Sequence, residues 1–174
     1  MLTNKEQKRK KTRLRDFDYS KNGVYFITIC TENRKNILSE ITQDNVGVGA
    51  SDDPIVKLKE SGIIVEEEII KMNNIYPELN VSKYIIMPNH IHFLIEVNKK
   101  TGSSRAPTPT RANQLVPKYI STLKRFTNKR VGNPIWQRSY FDHIIRDEED
   151  LALHLQYIEQ NPRKWLLGKD EYYA

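Results

Sequence analysis

Two histidines one residue apart, His90 and His92, stand in a run, Tyr84 to Val97 (YIIMPNHIHFLIEV), otherwise suited to a buried strand. Side chains on a strand alternate faces, so both imidazoles emerge on one side while Ile91 and Phe93 go to the other. Two such rings repel once protonated, and in the neutral form they are natural metal ligands. A second set of reactive groups comes late in the chain. At about 3.6 residues per turn, Asp150, His154, Tyr157 and Asn161 fall on one stripe of a helix. A phenol, with a reference pKa of about 10, is a poor nucleophile at neutral pH until a base or cation assists it. Each set also has an ordinary reading: histidines packed on a strand face, a half-buried tyrosine, an asparagine closing a helix, and a His154 that only packs rather than relaying a proton.

The elements that must position these groups are legible in outline. Gly23 to Thr31 (GVYFITICT) is β-branched and aromatic enough for a buried strand, and residues 32–54 hold turn formers around short apolar pieces, as in an irregular connection. From Asp53 to about Asn74 the period changes: Ile55, Leu58, Gly62, Val65, Ile69 and Met72 recur every three or four residues, which predicts a scaffold helix with Asp53 as N-cap and Pro54 in its first turn. Leu79 to Met87 and His90 to Val97 are predicted strands around a turn at Pro88 and Asn89. Gln114 to Arg130 carries the stripe Leu115, Tyr119, Leu123 and Phe126, with Lys118, Lys124, Arg125, Lys129 and Arg130 outside it, and Pro117 sets the start nearer that residue. Ile135 to Arg146 (IWQRSYFDHIIR) reads as a strand whose Arg138 and Tyr140 can contact a phosphate or a base. A last helix runs from Asp147, its acidic start suiting the positive end of the helix dipole, and ends at Asn161 because Pro162 follows.

Composition bounds the function. At 174 residues the chain is long enough for one domain with a real core; 38% hydrophobic and 29% charged residues describe a soluble globular protein, so the expected compartment is the cytoplasm. No apolar run approaches the roughly 18 residues of a membrane span, and the basic N-terminus lacks the apolar core of a secretory signal. The single cysteine, Cys30, excludes an intrachain disulfide and a multi-cysteine zinc site, which leaves histidine, carboxylate or amide ligands for any metal. A net charge of +6 and a pI near 9.3 favour a polyanionic partner. Residues 1–16 are expected to be a flexible basic arm and residues 17–174 a single domain. Asn98 to Asn113, rich in Gly, Ser, Pro and Thr, is expected to be a surface loop whose Arg105 and Arg111 join the helix cations as phosphate contacts.

Taken together, GVYFITICT at 23–31, MPNHIH at 87–92, WQRSYFDHIIR at 136–146 and YIEQNP at 157–162 resemble the single-tyrosine HUH transposases, in particular the REP-associated tyrosine transposases. The resemblance runs through most of the chain. It implies an α+β, ferredoxin-like sandwich, with an antiparallel sheet and helices packed on it. His90 and His92 match the family's metal-binding pair, Tyr157 its nucleophile, and Asn161 the place of a third, amide-type ligand. The implied activity is metal-dependent cutting and rejoining of single-stranded DNA at or beside a hairpin, with Mg²⁺ or Mn²⁺, through a 5′-phosphotyrosine that leaves a free 3′-hydroxyl. Lys118, Lys124, Arg125, Lys129, Arg138 and Tyr140, with Arg105 and Arg111, are then DNA-binding candidates. Relatives act as monomers or as homodimers that exchange the tyrosine helix. The other readings are a domesticated protein that binds hairpins without cutting and a metallohydrolase that activates water at His90 and His92.

Overall fold

The computed structural model describes residues 17–43, 53–99 and 114–168. β1 (Gly23–Cys30) leads through a short 3₁₀ turn at Glu32–Arg34 into β2 (Ser39–Gln43), which pairs antiparallel with β3 (Pro54–Leu58) as a separate two-stranded sheet. α1 (Glu60–Ile75), β4 (Leu79–Ile86), β5 (His90–Val97), α2 (Leu115–Val131), β6 (Phe141–Ile144) and α3 (Glu148–Leu166) follow. The four long-range strands form an antiparallel sheet in the order β4-β5-β1-β6. With the β2-β3 hairpin set aside, the chain runs β-α-β-β-α-β, the split arrangement of a ferredoxin-like fold, and α3 is an appended helix.

Strand alternation gives this sheet two interiors. Tyr25, Ile27 and Ile29 of β1 and Ile91, Phe93 and Ile95 of β5 face the main core, where they meet Val65, Ile69 and Met72 of α1 and Val116, Tyr119, Ile120 and Leu123 of α2. The intervening residues Phe26 and Leu94 face the other way and pack with Ile158 of α3. β5 is buried on both faces along nearly its whole length, so no solvent-facing alternation marks it in the sequence. Gly132, in the left-handed conformation at φ 82°, ends α2 by giving its N–H to the Asn128 carbonyl.

Four boundaries differ from the sequence expectations. The connection after β1 contains β2, and Pro54 to Leu58 pair with it, so Ile55 lies opposite Thr42 and α1 begins at Glu60 with Lys59, in place of Asp53, as N-cap. Period-three apolar spacing at Ile55 and Leu58 is equally consistent with two ends of a short strand, and the hairpin's backbone pairing decides the matter. α2 starts at Leu115, with Pro117 in the first turn, where a missing N–H costs nothing. The Ile135 to Arg146 strand shrinks to Phe141–Ile144, preceded by a single bridge between Thr31 and Trp136. Finally, α3 does not stop at Asn161: it passes through Pro162 and continues to Leu166, with Asn161 and Pro162 both buried. The expected arm, 1–16, and all but the start of the expected loop, including Arg105 and Arg111, lie outside the described residues.

Candidate metal and nucleophile site

The β1-β5 register places Thr28 opposite His92 and Cys30 opposite His90. Thr28 Oγ1 lies 2.7 Å from His92 Nδ1, and His90 Nδ1 donates to Asn89 Oδ1 at 2.6 Å. With both Nδ1 atoms engaged, the remaining nitrogen of each ring, Nε2, is directed toward the α3 side. The turn that delivers the pair is closed by the Met87 N–H on the His90 carbonyl at 2.9 Å. It is tied to the end of β1 by the Thr31 N–H and hydroxyl, both on the Asn89 carbonyl at 2.9 and 3.0 Å. Pro88 and Asn89 are thus the rigid hinge of the site, not a mere interruption between strands.

α3 brings the second set. Its first turn is capped by the Asp147 carboxylate, which accepts the Asp150 N–H at 2.8 Å. Further along, the Tyr157 ring stands edge-on to His92 with centroids 5.1 Å apart, and the two histidine rings are 4.5 Å apart. Phe26 fills the floor beneath them, stacked on His92 at 5.2 Å and edge-on to Tyr157 at 5.9 Å. Asn161 is completely buried and lies against His90, yet neither its amide atoms nor His90 Nε2 completes a hydrogen bond of normal geometry. Buried polar atoms left this way cost about 1–3 kcal/mol each, and an ion held between them would offset that cost. All four groups come from one chain.

Electrostatics keep the histidines neutral. Burial pushes His90 down to about 3, the Arg34 guanidinium adds to the shift, and the Asn161 contact opposes it. His92 is held well below the ordinary histidine range by burial first, then by the charges of His90, Arg34 and His154. Arg34 reaches the site from the 3₁₀ turn, where Asn33 and Arg34 both adopt left-handed backbone, φ 53° and 52°. Two consecutive non-glycine residues in that region are strained, a condition concentrated at functional sites.

The extension of α3 past Pro162 adds two groups that the sequence expectations omitted. Lys164 places its Nζ 5.0 Å from the centroid of the Tyr157 ring, and Trp165 approaches His90 with ring centroids 6.3 Å apart. Both follow from helical spacing once the helix is known to continue. A further cluster lies at the N-terminal end of α3: among the described residues, His143, Asp150 and His154 bring potential ligand atoms within 4.8 Å of one another. Its members already satisfy each other, with His143 Nε2 on the Asp150 carboxylate at 2.8 Å and His154 Nδ1 on the Asp150 backbone carbonyl at 2.8 Å. His154 also packs on Phe26 at 4.7 Å. These contacts fix the orientation of its ring between Asp150 and Phe26.

The expected DNA contacts divide. Lys118, Arg125 and Lys129 are exposed on α2, and Arg138 is exposed before β6. Tyr140 is a correction: at 3% exposure it belongs to the main core, so its ring cannot stack on a base. Lys124 is engaged within the fold: its ammonium donates to the carbonyls of Gln137 and Ser139, each at 2.8 Å, and braces the loop that carries Tyr140. Arg130 is held by Glu67 and Glu68 of α1.

Comparison with known proteins identifies the family and the fold. A family profile described as "Transposase IS200 like" matches residues 19–161. An uncharacterized protein of Haemophilus influenzae is 30% identical over 90% of this chain and 89% of its own length. A putative REP-associated tyrosine transposase of the same organism is 28% identical over 84% of this chain and 74% of its own. The Escherichia coli REP-associated tyrosine transposase is 23% identical over 84% of this chain and 70% of its own. Among solved structures, a REP-associated tyrosine transposase bound to a REP hairpin superposes with a TM-score of 0.61 at 20% identity, over 89% of this chain and 74% of that one, and shares the fold.

Proposed function

The chain belongs to the IS200-like transposase family, and from that premise we propose that it cuts and rejoins single-stranded DNA at or beside hairpins, through a covalent 5′-phosphotyrosine on Tyr157. The observation that carries this reading is the buried meeting of Tyr157, His92, His90 and Asn161 within one chain. Tyr157 supplies the nucleophile. Its oxygen forms a bond to phosphorus while the bond to the 3′ oxygen breaks. The phenolic proton leaves and the 3′ oxygen takes one up, so no net proton is consumed. The covalent link keeps the energy of the broken diester, and rejoining needs no nucleotide triphosphate.

His90, His92 and the Asn161 amide oxygen are the residues that would hold a divalent cation. The fit rests on the buried amide and His90 Nε2 that lack aligned partners, and on the two Nδ1 atoms fixed from behind. When bound, Mg²⁺ or Mn²⁺ supplies charge that polarises the scissile phosphate. Phe26 and the buried sheet floor exclude water from the same space, which strengthens every charge interaction there. Lys118, Arg125, Lys129 and Arg138 would contact backbone phosphates of the hairpin, a salt-dependent and largely sequence-blind contribution, and such a substrate places the protein in the cytoplasm.

The deciding experiment incubates the protein with a library of single-stranded hairpins and Mn²⁺ or Mg²⁺, then isolates and sequences covalent adducts. Wild type is expected to form adducts and Tyr157→Phe none, with hairpin affinity unchanged within about twofold. Binding without adducts in the wild type would make this a hairpin-binding protein. Cleavage by Tyr157→Phe, with products free of protein, would make it a metallohydrolase.

A further inference from the structure

We propose that Lys164 is the chain's own cation for the phosphate that Tyr157 attacks; the inference rests on the phosphotyrosine reading above. Lys164 follows Tyr157 by seven residues, about two helical turns, so it stands over the same face provided that the helix stays regular across Pro162. It does stay regular, and the ammonium sits 5.0 Å from the phenol ring centroid. Asn161, between them on the same rod, is buried against His90. Lys164 is half-buried, and among the described residues no carboxylate pairs with it.

The geometry of the fold makes this position unusual. Lys118, Arg125 and Lys129 belong to α2, whose buried residues pack on the opposite face of the sheet, so they cannot reach a phosphate bound at Tyr157. Lys83, nearer to α3, is paired with Glu159 at 3.1 Å. Arg34, on the 3₁₀ turn, acts on His90 and His92. Lys164 sets its ammonium over the nucleophile's own ring. During the displacement the non-bridging oxygens of the phosphate gain charge, and a cation already held in place stabilises them without reorganisation. An ammonium also keeps its favourable contact with the π-face of the ring, so it is positioned before DNA arrives. Lys164 lies three residues beyond the segment shared with the family profile, which ends at Asn161.

The test is a binding cycle that does not depend on cleavage. In the Tyr157→Phe background, which retains the ring, affinity is measured for hairpin oligonucleotides carrying a neutral methylphosphonate at each link of the flanking strand in turn. Lys164→Met is expected to weaken binding of the all-phosphate oligonucleotide about tenfold. It should have no effect when the methylphosphonate occupies one particular link, and Lys164→Arg should restore most of the loss. With Tyr157 present, Lys164→Met should slow adduct formation about a hundredfold at saturating DNA, again with recovery in Lys164→Arg. Equal weakening at every link, or no weakening, overturns the assignment. Failure of the wild type to form adducts, with a Lys164-dependent link still found, would instead remove the phosphotyrosine reading and leave Lys164 as a phosphate-binding residue.

Discussion

On the side of α1 and α2 the sheet buries Ile27, Ile91, Phe93 and Ile95 against Val65, Met72, Tyr119 and Leu123, an interior of aliphatic and aromatic side chains whose polar atoms are mostly tyrosine hydroxyls. On the side of α3 the same two strands present Phe26, Thr28, His90, His92 and Leu94 to Ile158, Tyr157 and Asn161. One interior is closed by area and fit. The other is small, and its polar groups are buried with incomplete partners, which is costly for a structure whose only task is to fold. Alternation along β1 and β5 lets the first interior hold the backbone rigid while the second keeps its strained chemistry in register.

Substitutions on the two faces should therefore separate stability from chemistry. The largest separation is expected on the polar face: His90→Ala or His92→Ala should lower adduct formation at least a thousandfold while hairpin affinity, set by cations elsewhere, changes about twofold or less, as gel-shift and adduct assays can read. Next come the paired phenylalanines. Phe93→Ala, in the main core, should cost about 3–5 kcal/mol in denaturant unfolding and leave the adduct rate per folded molecule unaltered. Phe26→Ala should cost less in stability, because its cluster is smaller, but should slow adduct formation on the order of a hundredfold by releasing the rings of His92 and Tyr157. If the two phenylalanine variants behave alike, the division of labour between the faces is wrong.

The smallest effect, taken per pH unit, concerns acid. Both site histidines are held neutral by burial, His90 down to about 3 and His92 well below the ordinary range. The unfolded chain binds their protons near the ordinary histidine value of about 6.5, so it gains protons first as pH falls. Stability of the metal-free protein is thus full above about pH 6.5 and declines below it, by roughly tenfold in the folding constant per pH unit per histidine, until the folded groups themselves titrate. In urea titrations His92→Asn should flatten this decline, whereas a change on the α1-α2 face should shift the whole curve without altering its slope.

Much of the site was visible before any coordinates. The alternation that sends His90 and His92 to one face depends only on strand geometry, and the Asp150, His154, Tyr157, Asn161 stripe only on helical period. What escaped was decided by long-range pairing. Ile55 and Leu58 satisfy a helical spacing, but backbone partners in β2 make them a strand, and no local pattern announces such a partner. Tyr140 looked available because an aromatic in a short polar stretch is ambiguous; three carbonyls of its loop gathered around the Lys124 ammonium turn that ring inward. Pro162 marks a helix end by local rule, and burial of Asn161 and Pro162 overrides the rule, so the places of Lys164 and Trp165 follow from tertiary packing and not from local sequence.

Only Ile145, Arg146 and Asp147 connect β6 to α3, and β6 is hydrogen-bonded to β1 as the outermost strand. A tether of three residues spans at most about 10 Å. So short a tie keeps the start of the tyrosine helix close to the sheet edge. Within the structure one chain supplies Tyr157, His90, His92 and Asn161 together, on a helix that the sheet edge holds by a short tie.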